Sequence, residues 1–411
     1  MERRVRYPVC MILAHVAKEF VLCTSWTLAL GWLYQAFAAW RGIPQIPDVT
    51  RDDPAAQLPQ CEGPHLSVLL PACNEEATIG VTLRSLLRST GLRLQIIAID
   101  DRSTDRTGAI MEELATEARS GNGPHSLLVI HNRELPAGWL GKTHALSMAL
   151  QHATAPWILL TDGDPIFAPR AVELGLRQAI AERADHLVLL ATLITKRVGE
   201  SLMAATAQAM SQWSVRLWKV ADPRTRDFFG MGCSTFVRVQ AFSELGGFDA
   251  LRMEVIEDVS LGATVKRSGY RSCVALGPGL VSIRWIDGFL GLVTNLEKNG
   301  FAAFRYSVPL TILVCLGFAF NAFVPLAALV LGGWGLAAGL VTYASVGLTF
   351  QANRRMNQVS PLAAFLFTLS AATIGFALLR SMVFTLLRDG VNWRGTHYPL
   401  SELRRSAVRW W

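Results

Sequence analysis

Two kinds of hydrophobic pattern divide the chain. From Phe20 to Trp40 the sequence FVLCTSWTLALGWLYQAFAAW carries no charge, and about twenty such residues cross a hydrocarbon core of roughly 30 Å. Tryptophans near its ends suit interface anchors. Its length and late start mark a retained anchor rather than a cleaved signal peptide. The charge-free pattern returns near the other end, where Val308 to about Leu326, Ala327 to about Phe350 and Pro361 to Leu387 predict three more spans, the last interrupted by Arg380.

Between these stretches the pattern changes at Leu66. LSVLLPA, LQIIAIDD, SLLVIHN and WILLTDGD are short apolar runs with polar ends, separated by segments of helix-forming composition at Ala77 to Ser89, Thr107 to Ala118 and Thr143 to His152. Strands alternating with helices predict an α/β domain with a mostly parallel, Rossmann-like sheet covered on both faces. In such sheets ligands bind outside the carboxyl ends of the strands. The expected organisation is an N-terminal segment with a membrane helix (1–45), a Pro-rich and acidic linker (46–65) and the α/β domain (66–285). An interfacial amphipathic helix (286–306) follows, then about three membrane helices (307–390) and a basic, aromatic tail (391–411).

Composition agrees with this mixture: 51% of the 411 residues are hydrophobic and 17% charged. In a chain with spanning helices the net charge of +7 suits anionic headgroups, and nucleic-acid binding is not expected. The seven cysteines are scattered without a Cys-x-x-Cys pair, which fits unpaired thiols in a reducing compartment and argues against a disulfide framework or structural zinc. Arg354 and Arg355 place their loop on the cytoplasmic side, and counting back two spans puts the α/β domain there too. The chain thus reads as a multi-pass protein of the inner (plasma) membrane. The N-terminal Arg3, Arg4, Arg6 and Lys18 then fall outside, against the same rule.

The chemistry gathers at the strand ends. The first strand ends in Pro71-Ala-Cys-Asn74-Glu75-Glu76 and the second in Asp100-Asp101-Arg-Ser103-Thr-Asp105-Arg-Thr107. Helix capping by Asn74, Ser103 or Asp105 accounts for part of this pattern. It does not require two adjacent carboxylates, whose repulsion is costly unless a donor or cation offsets it. Asp162 and Asp164 follow the fourth run with only Gly163 between them. Two such carboxylates can turn toward one point and, with substrate phosphates, hold Mg²⁺ or Mn²⁺; a solvated turn is the plainer alternative. Lys142, beside Gly141 at the start of a helix, is a natural phosphate contact or a surface charge. Glu257-Asp258 opens another helix, where acidic residues are favourable in any case. A carboxylate there can also serve as the general base for an attacking hydroxyl.

Taken in order, Pro-x-x-Asn-Glu, Asp-Asp-x-Ser-x-Asp-x-Thr, Asp-x-Asp, Gly246-Gly-Phe-Asp249 and Glu257-Asp258 resemble the inverting family 2 glycosyltransferases of GT-A fold, over Leu66 to Trp285. The resemblance implies a site for a nucleotide-diphosphate sugar formed by Pro71, Asn74, Glu75, Asp100, Asp101, Lys142 and Asp162, with Asp101 at the base. It assigns metal and diphosphate binding to Asp162 and Asp164, and makes Asp258 the catalytic base. The acceptor side would comprise Gly230, Gly232, Glu257, Arg284 and Trp285. Uridine donors are the commonest in that family. The flanking helices with Gly138-Trp-x-Gly-Lys142 and Lys298-Asn299 are most similar to the bacterial hopanoid-associated and carotenoid-type lipid glycosyltransferases, which implies a lipid acceptor at the membrane. Two other readings compete. A processive polysaccharide synthase would carry Gln-x-x-Arg-Trp where this chain has Val281-Ser-Ile-Arg284-Trp285, and a non-catalytic membrane scaffold would retain only a degenerate nucleotide fold.

Overall fold

A computed structural model describes residues 9–408 apart from 122, together with 410. The arginines at positions 3, 4 and 6, which carry the topology conflict, lie outside the described residues. The chain begins with one long helix, α1 (Val9–Gly42), and then builds β1 (Leu66–Ala72), α2 (Ile79–Leu87), β2 (Leu94–Asp101), α3 (Thr107–Ser120), β3 (Ser126–Asn132), α4 (Gly141–Gln151) and β4 (Trp157–Leu160). There follow β5 (Ile166–Phe167), α5 (Ala171–Ala181), β6 (His186–Leu190), β7 (Thr192–Leu193), α6 (Val198–Ser211), β8 (Thr235–Arg238), α7 (Val239–Glu244), α8 (Glu257–Arg267), β9 (Ser272–Leu276) and β10 (Val281–Ile283). Next come α9 (Gly291–Ala303), α10 (Val308–Leu331), α11 (Gly333–Ala352) and α12 (Phe367–Leu387). A hairpin, β11 (Gly390–Trp393) and β12 (Thr396–Pro399), and a short helix, α13 (Leu400–Ser406), close the described chain.

The central sheet has seven strands in the order β3-β2-β1-β4-β8-β6-β9, and only β8 runs antiparallel to its neighbours. Every residue of β1 is buried, as expected of a parallel strand covered on both faces. Its alternating side chains feed two cores: Leu66, Val68 and Leu70 pack with α2, α3 and α5, while Leu69 packs with α4, α7 and α8. The register Ala72↔Asp100 and Asp101↔Asn132 sets the ends of β1, β2 and β3 side by side. A small sheet has the order β5-β10-β7, and Leu193 of β7 packs against the cluster that holds Trp32, Phe318 and Phe367.

Four helices are long and apolar enough to cross a membrane: His15–Gln45, Val308–Leu331, Gly333–Ala352 and Pro361–Leu387. The boundary between the second and third lies at Gly332-Gly333, not at Leu326-Ala327 as the sequence suggested. No charge marks an edge in that apolar run, and Pro325 stays inside α10; the turn comes where two glycines take positive φ, 68° and 50°. The α/β domain is joined to this bundle through α6. Thr206 and Ser370 hydroxyls meet at 2.7 Å, Gln212 donates to Asn353 at 2.7 Å, and buried Trp32 of α1 donates to Asn321 at 2.8 Å.

Two segments are more ordered than the sequence indicated. In the linker, Asp48 forms a parallel bridge with Leu276 of β9, and Arg177 of α5 holds Asp53 at 3.1 Å. The C-terminal tail forms the β11–β12 hairpin and α13. Its Val391, Tyr398, Leu400 and Leu403 are buried with Leu140, Phe301 and Met382, joining the α/β domain to the last membrane helix. The six cysteines whose side chains are described are free.

Candidate active site

The loops after β1 and β2 are laced together by local polar contacts. Asn74, at a positive φ of 55°, accepts the Thr104 amide at 2.8 Å, and its own amide donates to Ser103 Oγ at 3.1 Å. The Glu75 amide donates to Thr107 Oγ1 at 2.7 Å, and Glu76 accepts the Arg106 amide at 3.0 Å. These contacts run between the two loops and do not cap α2 or α3 as expected, since the N-caps Thr78 and Arg106 carry no side-chain cap hydrogen bond; their effect is to hold Glu75 at the crevice. Pro71 lies within β1, paired with Ile99.

The two aspartates ending β2 have separate surroundings. Asp100 accepts from His131 Nδ1 at 2.8 Å, against Gly108, where a side chain would strike its carboxylate. Asp101 is buried and receives Arg102 at 3.0 and 2.9 Å and Asn132 Nδ2 at 2.7 Å. Donors therefore offset the adjacent carboxylates, and Arg102 and Asn132 form, with Asp101, a polar floor at the end of β2 that the motifs alone did not reveal. His144 sits edge-on to Trp139 with ring centroids 5.6 Å apart.

The end of β4 carries the densest charge. Thr161 donates to the Cys233 carbonyl at 3.0 Å and Thr82 to the Gly163 carbonyl at 2.9 Å, fixing the Asp162-Gly163-Asp164 turn. Lys142, in the first turn of α4, reaches Asp162 and Glu257, each at 2.6 Å. A Cβ added to Gly232 would lie 3.0 Å from both Asp162 Oδ2 and Lys142 Nζ, and 3.6 Å from Asp258 Oδ2. Gly232 is thus the floor around which Asp162, Lys142 and Asp258 gather. Gly230 serves the packing of the backbone instead, because a side chain there would overlap the Asp258 carbonyl, and one on Gly262 would overlap that of Phe229. Two glycines let the 228–232 segment lie against α8, which fixes Asp258 at that helix's first turn.

Burial and neighbouring charge act together on these groups. Burial opposes the Lys142 charge, but Asp162, Glu257 and Asp258 outweigh it and hold the ammonium protonated well above its ordinary range. Burial pushes Asp162 up, and Lys142 more than reverses this, leaving its carboxyl below the usual value. Asp164 has no such ion pair among the described residues; burial, then Asp162 and Glu75, raise it to about 7. Glu257 also rises to about 7, through burial first and, against the pull of Lys142, through Asp258 and Asp162.

Other motif residues lie apart from this cluster. Phe248 of Gly-Gly-Phe-Asp packs in the core against Phe242, with ring centroids 4.8 Å apart, while Asp249 pairs with Arg252 at the surface. Arg284 is engaged by Asp287 at 2.5 Å and Glu200 at 3.6 Å, and Trp285 is partly exposed beside it. Arg394, which the motif reading passed over, enters the crevice from the β11–β12 turn and pairs with Glu75. Its sequence signal was an Arg-Gly turn between short alternating runs.

Among the described residues, no three His, Cys, Asp or Glu side chains form a cluster that could hold a metal ion by themselves. The donor chemistry nonetheless fits a hard divalent cation. Asp162 and Asp164 offer hard oxygen donors on one turn, and burial, then the charges of Asp162 and Glu75, raise the Asp164 carboxyl against the pull of Lys142. Such cations are commonly held by one or two carboxylates plus substrate phosphates.

Comparison with known proteins agrees with this geometry. Residues 67–245 match the glycosyl transferase family 2 profile. The chain is 26% identical over 237 residues to 4,4'-diaponeurosporenoate glycosyltransferase of Staphylococcus aureus strain MRSA252, and likewise to that of strain NCTC 8325. The match takes in 57% of this chain and 60% of theirs. Among solved structures, the mannosyltransferase PcManGT from Pyrobaculum calidifontis, in complex with GDP-Man and Mn²⁺, superposes with a TM-score of 0.52 at 17% identity, covering 89% of this chain and 99% of that one. Strand order, clustered carboxylates and sequence similarity converge on a glycosyltransferase domain of the GT-A fold, with the family 2 match confined to residues 67–245.

Proposed function

We propose that this protein transfers a sugar from a nucleoside-diphosphate sugar to a lipid acceptor at the membrane, inverting the anomeric configuration. The observation that carries the reading is the gathering of Asp162, Lys142 and Asp258 around Gly232, at the carboxyl edge of the sheet. That edge is where an α/β sheet binds its ligand. The nucleoside would lie over Asp101, Arg102 and Asn132, beside the loop held by Asn74 and under Pro71 and Asp100. Its diphosphate would run toward Glu75, Asp162, Asp164 and Lys142.

A Mg²⁺ or Mn²⁺ ion held by Asp162 and Asp164 would supply Lewis-acid stabilisation of the negative charge that develops on the leaving diphosphate. Lys142 adds a fixed positive charge beside the same oxygens. Asp258 accepts the proton of the acceptor hydroxyl as its oxygen attacks the anomeric carbon from the face opposite the diphosphate. Glu257, held by Lys142, orients the first turn of α8, Gly230 seats the 228–232 segment against that helix, and Gly232 leaves room on the acceptor side. Arg284 and Trp285 border that side through their loop into α9.

The lipid acceptor is supported by the surroundings of the site. A cavity of about 170 Å³ lies between α9, the end of α12 and β11, lined by Lys298, Phe384 and Asn392 among others. An amphiphile can present its polar end there while its chain stays in the bilayer. The similarity to a glycosyltransferase named for a carotenoid acid points the same way. In this reading the catalytic domain faces the cytoplasm, where nucleotide sugars are made, from a multi-pass anchor in the plasma membrane.

The test is donor turnover by the purified full chain in lipid nanodiscs, with UDP- and GDP-sugars and a lipid extract as acceptor. Transfer should appear with Mn²⁺ or Mg²⁺, fall to background with excess EDTA and return when the metal is restored. Undiminished transfer in EDTA would rule out the metal role of Asp162 and Asp164.

A further inference from the structure

The β11–β12 hairpin joins its strands through two residues, since Trp393 pairs with Thr396 across Arg394-Gly395. Both central residues have positive φ, 49° for Arg394 and 79° for Gly395, as a type I′ turn demands. Asn-Gly is the favoured pair for such a turn, and an arginine there is held in a sparsely populated conformation. The surrounding structure enforces it. Tyr398 Oη accepts the Gly141 amide at 3.2 Å, Thr396 lies within 3.4 Å of Arg102, and Val391, Tyr398 and Leu400 are buried against the catalytic domain and α12.

The consequence is a guanidinium delivered to the donor crevice from beyond the last membrane helix. Arg394 pairs with Glu75, and its charge is also felt by Asp162. Next to it, Lys298 of α9 stands 4.0 Å from the centre of the Trp393 ring, with no carboxylate partner among the described residues. Burial, then the charges of Lys142 and Arg394, lower its ammonium to about 8. That concentration of positive charge is costly without an anion to receive it. Among the carboxylates after β4 and at the start of α8, Asp162 and Glu257 are already matched with Lys142.

We propose that Arg394, presented by the hairpin, is a binding residue for the diphosphate of the donor: when donor and metal occupy the carboxylates, its guanidinium exchanges Glu75 for phosphate oxygens, with Lys298 beside it. The inference rests on the donor-site reading above. Planar, bidentate recognition of phosphate suits arginine, and the rigid docking of the hairpin means that only the side chain has to move.

The experiment uses the full-length protein in nanodiscs and titrates inorganic pyrophosphate, UDP and GDP, each with Mn²⁺, by calorimetry. Arg394→Asn installs the favoured turn residue, so the hairpin is kept while the cation is removed. Its affinity for pyrophosphate should fall about tenfold or more, with an unchanged or raised melting temperature, and Arg394→Lys should recover much of the loss. Wild-type affinity in Arg394→Asn would overturn the proposal. So would a loss accompanied by a lowered melting temperature and no rescue by lysine, which would assign the turn a purely scaffolding role. If the wild-type protein bound neither pyrophosphate nor either nucleotide, the donor-site reading would fall with it.

Discussion

Replacing Asp258 by asparagine is expected to lower sugar transfer by about 10²–10⁴-fold, the range that a positioned general base contributes, while donor binding stays close to wild type. The side chain sits in the first turn of α8, with Oδ1 accepting the Val259 amide at 2.8 Å and Oδ2 facing the space above Gly232. Asparagine keeps the volume and the helix-end hydrogen bond but cannot take a proton. Helix α8 is further held by the contacts at Gly230 and Gly262, so the substitution should leave its position unchanged. Initial rates with labelled donor, compared with calorimetric donor affinity, separate the two effects. A variant retaining the wild-type rate would remove Asp258 from the chemistry.

Lys142→Met should be the most disruptive change for both stability and activity. The ammonium contacts Asp162 and Glu257 at 2.6 Å each and is only 14% exposed. Removing one partner from a buried ion pair typically costs about 3–5 kcal/mol, because a carboxylate is left without compensation. The measured quantities are the apparent melting temperature and the transfer rate, both of which should fall. Adding Glu257→Gln to Lys142→Met removes one stranded carboxylate and should restore part of the stability, a coupling that a double-mutant cycle reads directly. Activity should not return, since the fixed charge beside the diphosphate is still missing. A Lys142→Met protein that melts like wild type would show that the pair does not hold this part of the crevice together.

The parts of the fold legible in the sequence are those built from compact apolar runs, buried throughout in β1 and exposed at several positions in the edge strand β3. β1, β2, β3 and β4 each stand out as apolar runs, and α3 and α4 begin within two residues of the expected positions. The carboxylate motifs also fall at strand ends, as expected. The two-residue strands β5 and β7 are too short to show a period, and antiparallel β8 sits in a glycine-rich stretch whose pattern does not separate a bulged strand from a loop. The expected division of α10 from α11 was misplaced because an apolar run gives hydropathy no edge; only the backbone at Gly332-Gly333 defines it.

At the site, residues that act through their own strand end are recognisable, while those that arrive from elsewhere are not. Glu75 and Arg394 are 319 positions apart, and no local pattern joins them. Arg102 stands inside a recognised motif, but its grip on Asp101 depends on a side-chain direction that spacing cannot specify. A glycine at position 230 suits a close backbone approach; that the partner is the Asp258 carbonyl emerges only from the packing of the 228–232 segment on α8.

The central claim, sugar transfer from a nucleotide donor to a membrane lipid, is tested most directly by extracting lipids from cells that express the wild-type chain, the Asp258→Asn variant or neither, and comparing them by mass spectrometry. A lipid bearing one added sugar is expected in the wild-type extract and absent from the other two. Identical lipid profiles, or a long water-soluble polymer in place of a glycolipid, would contradict it.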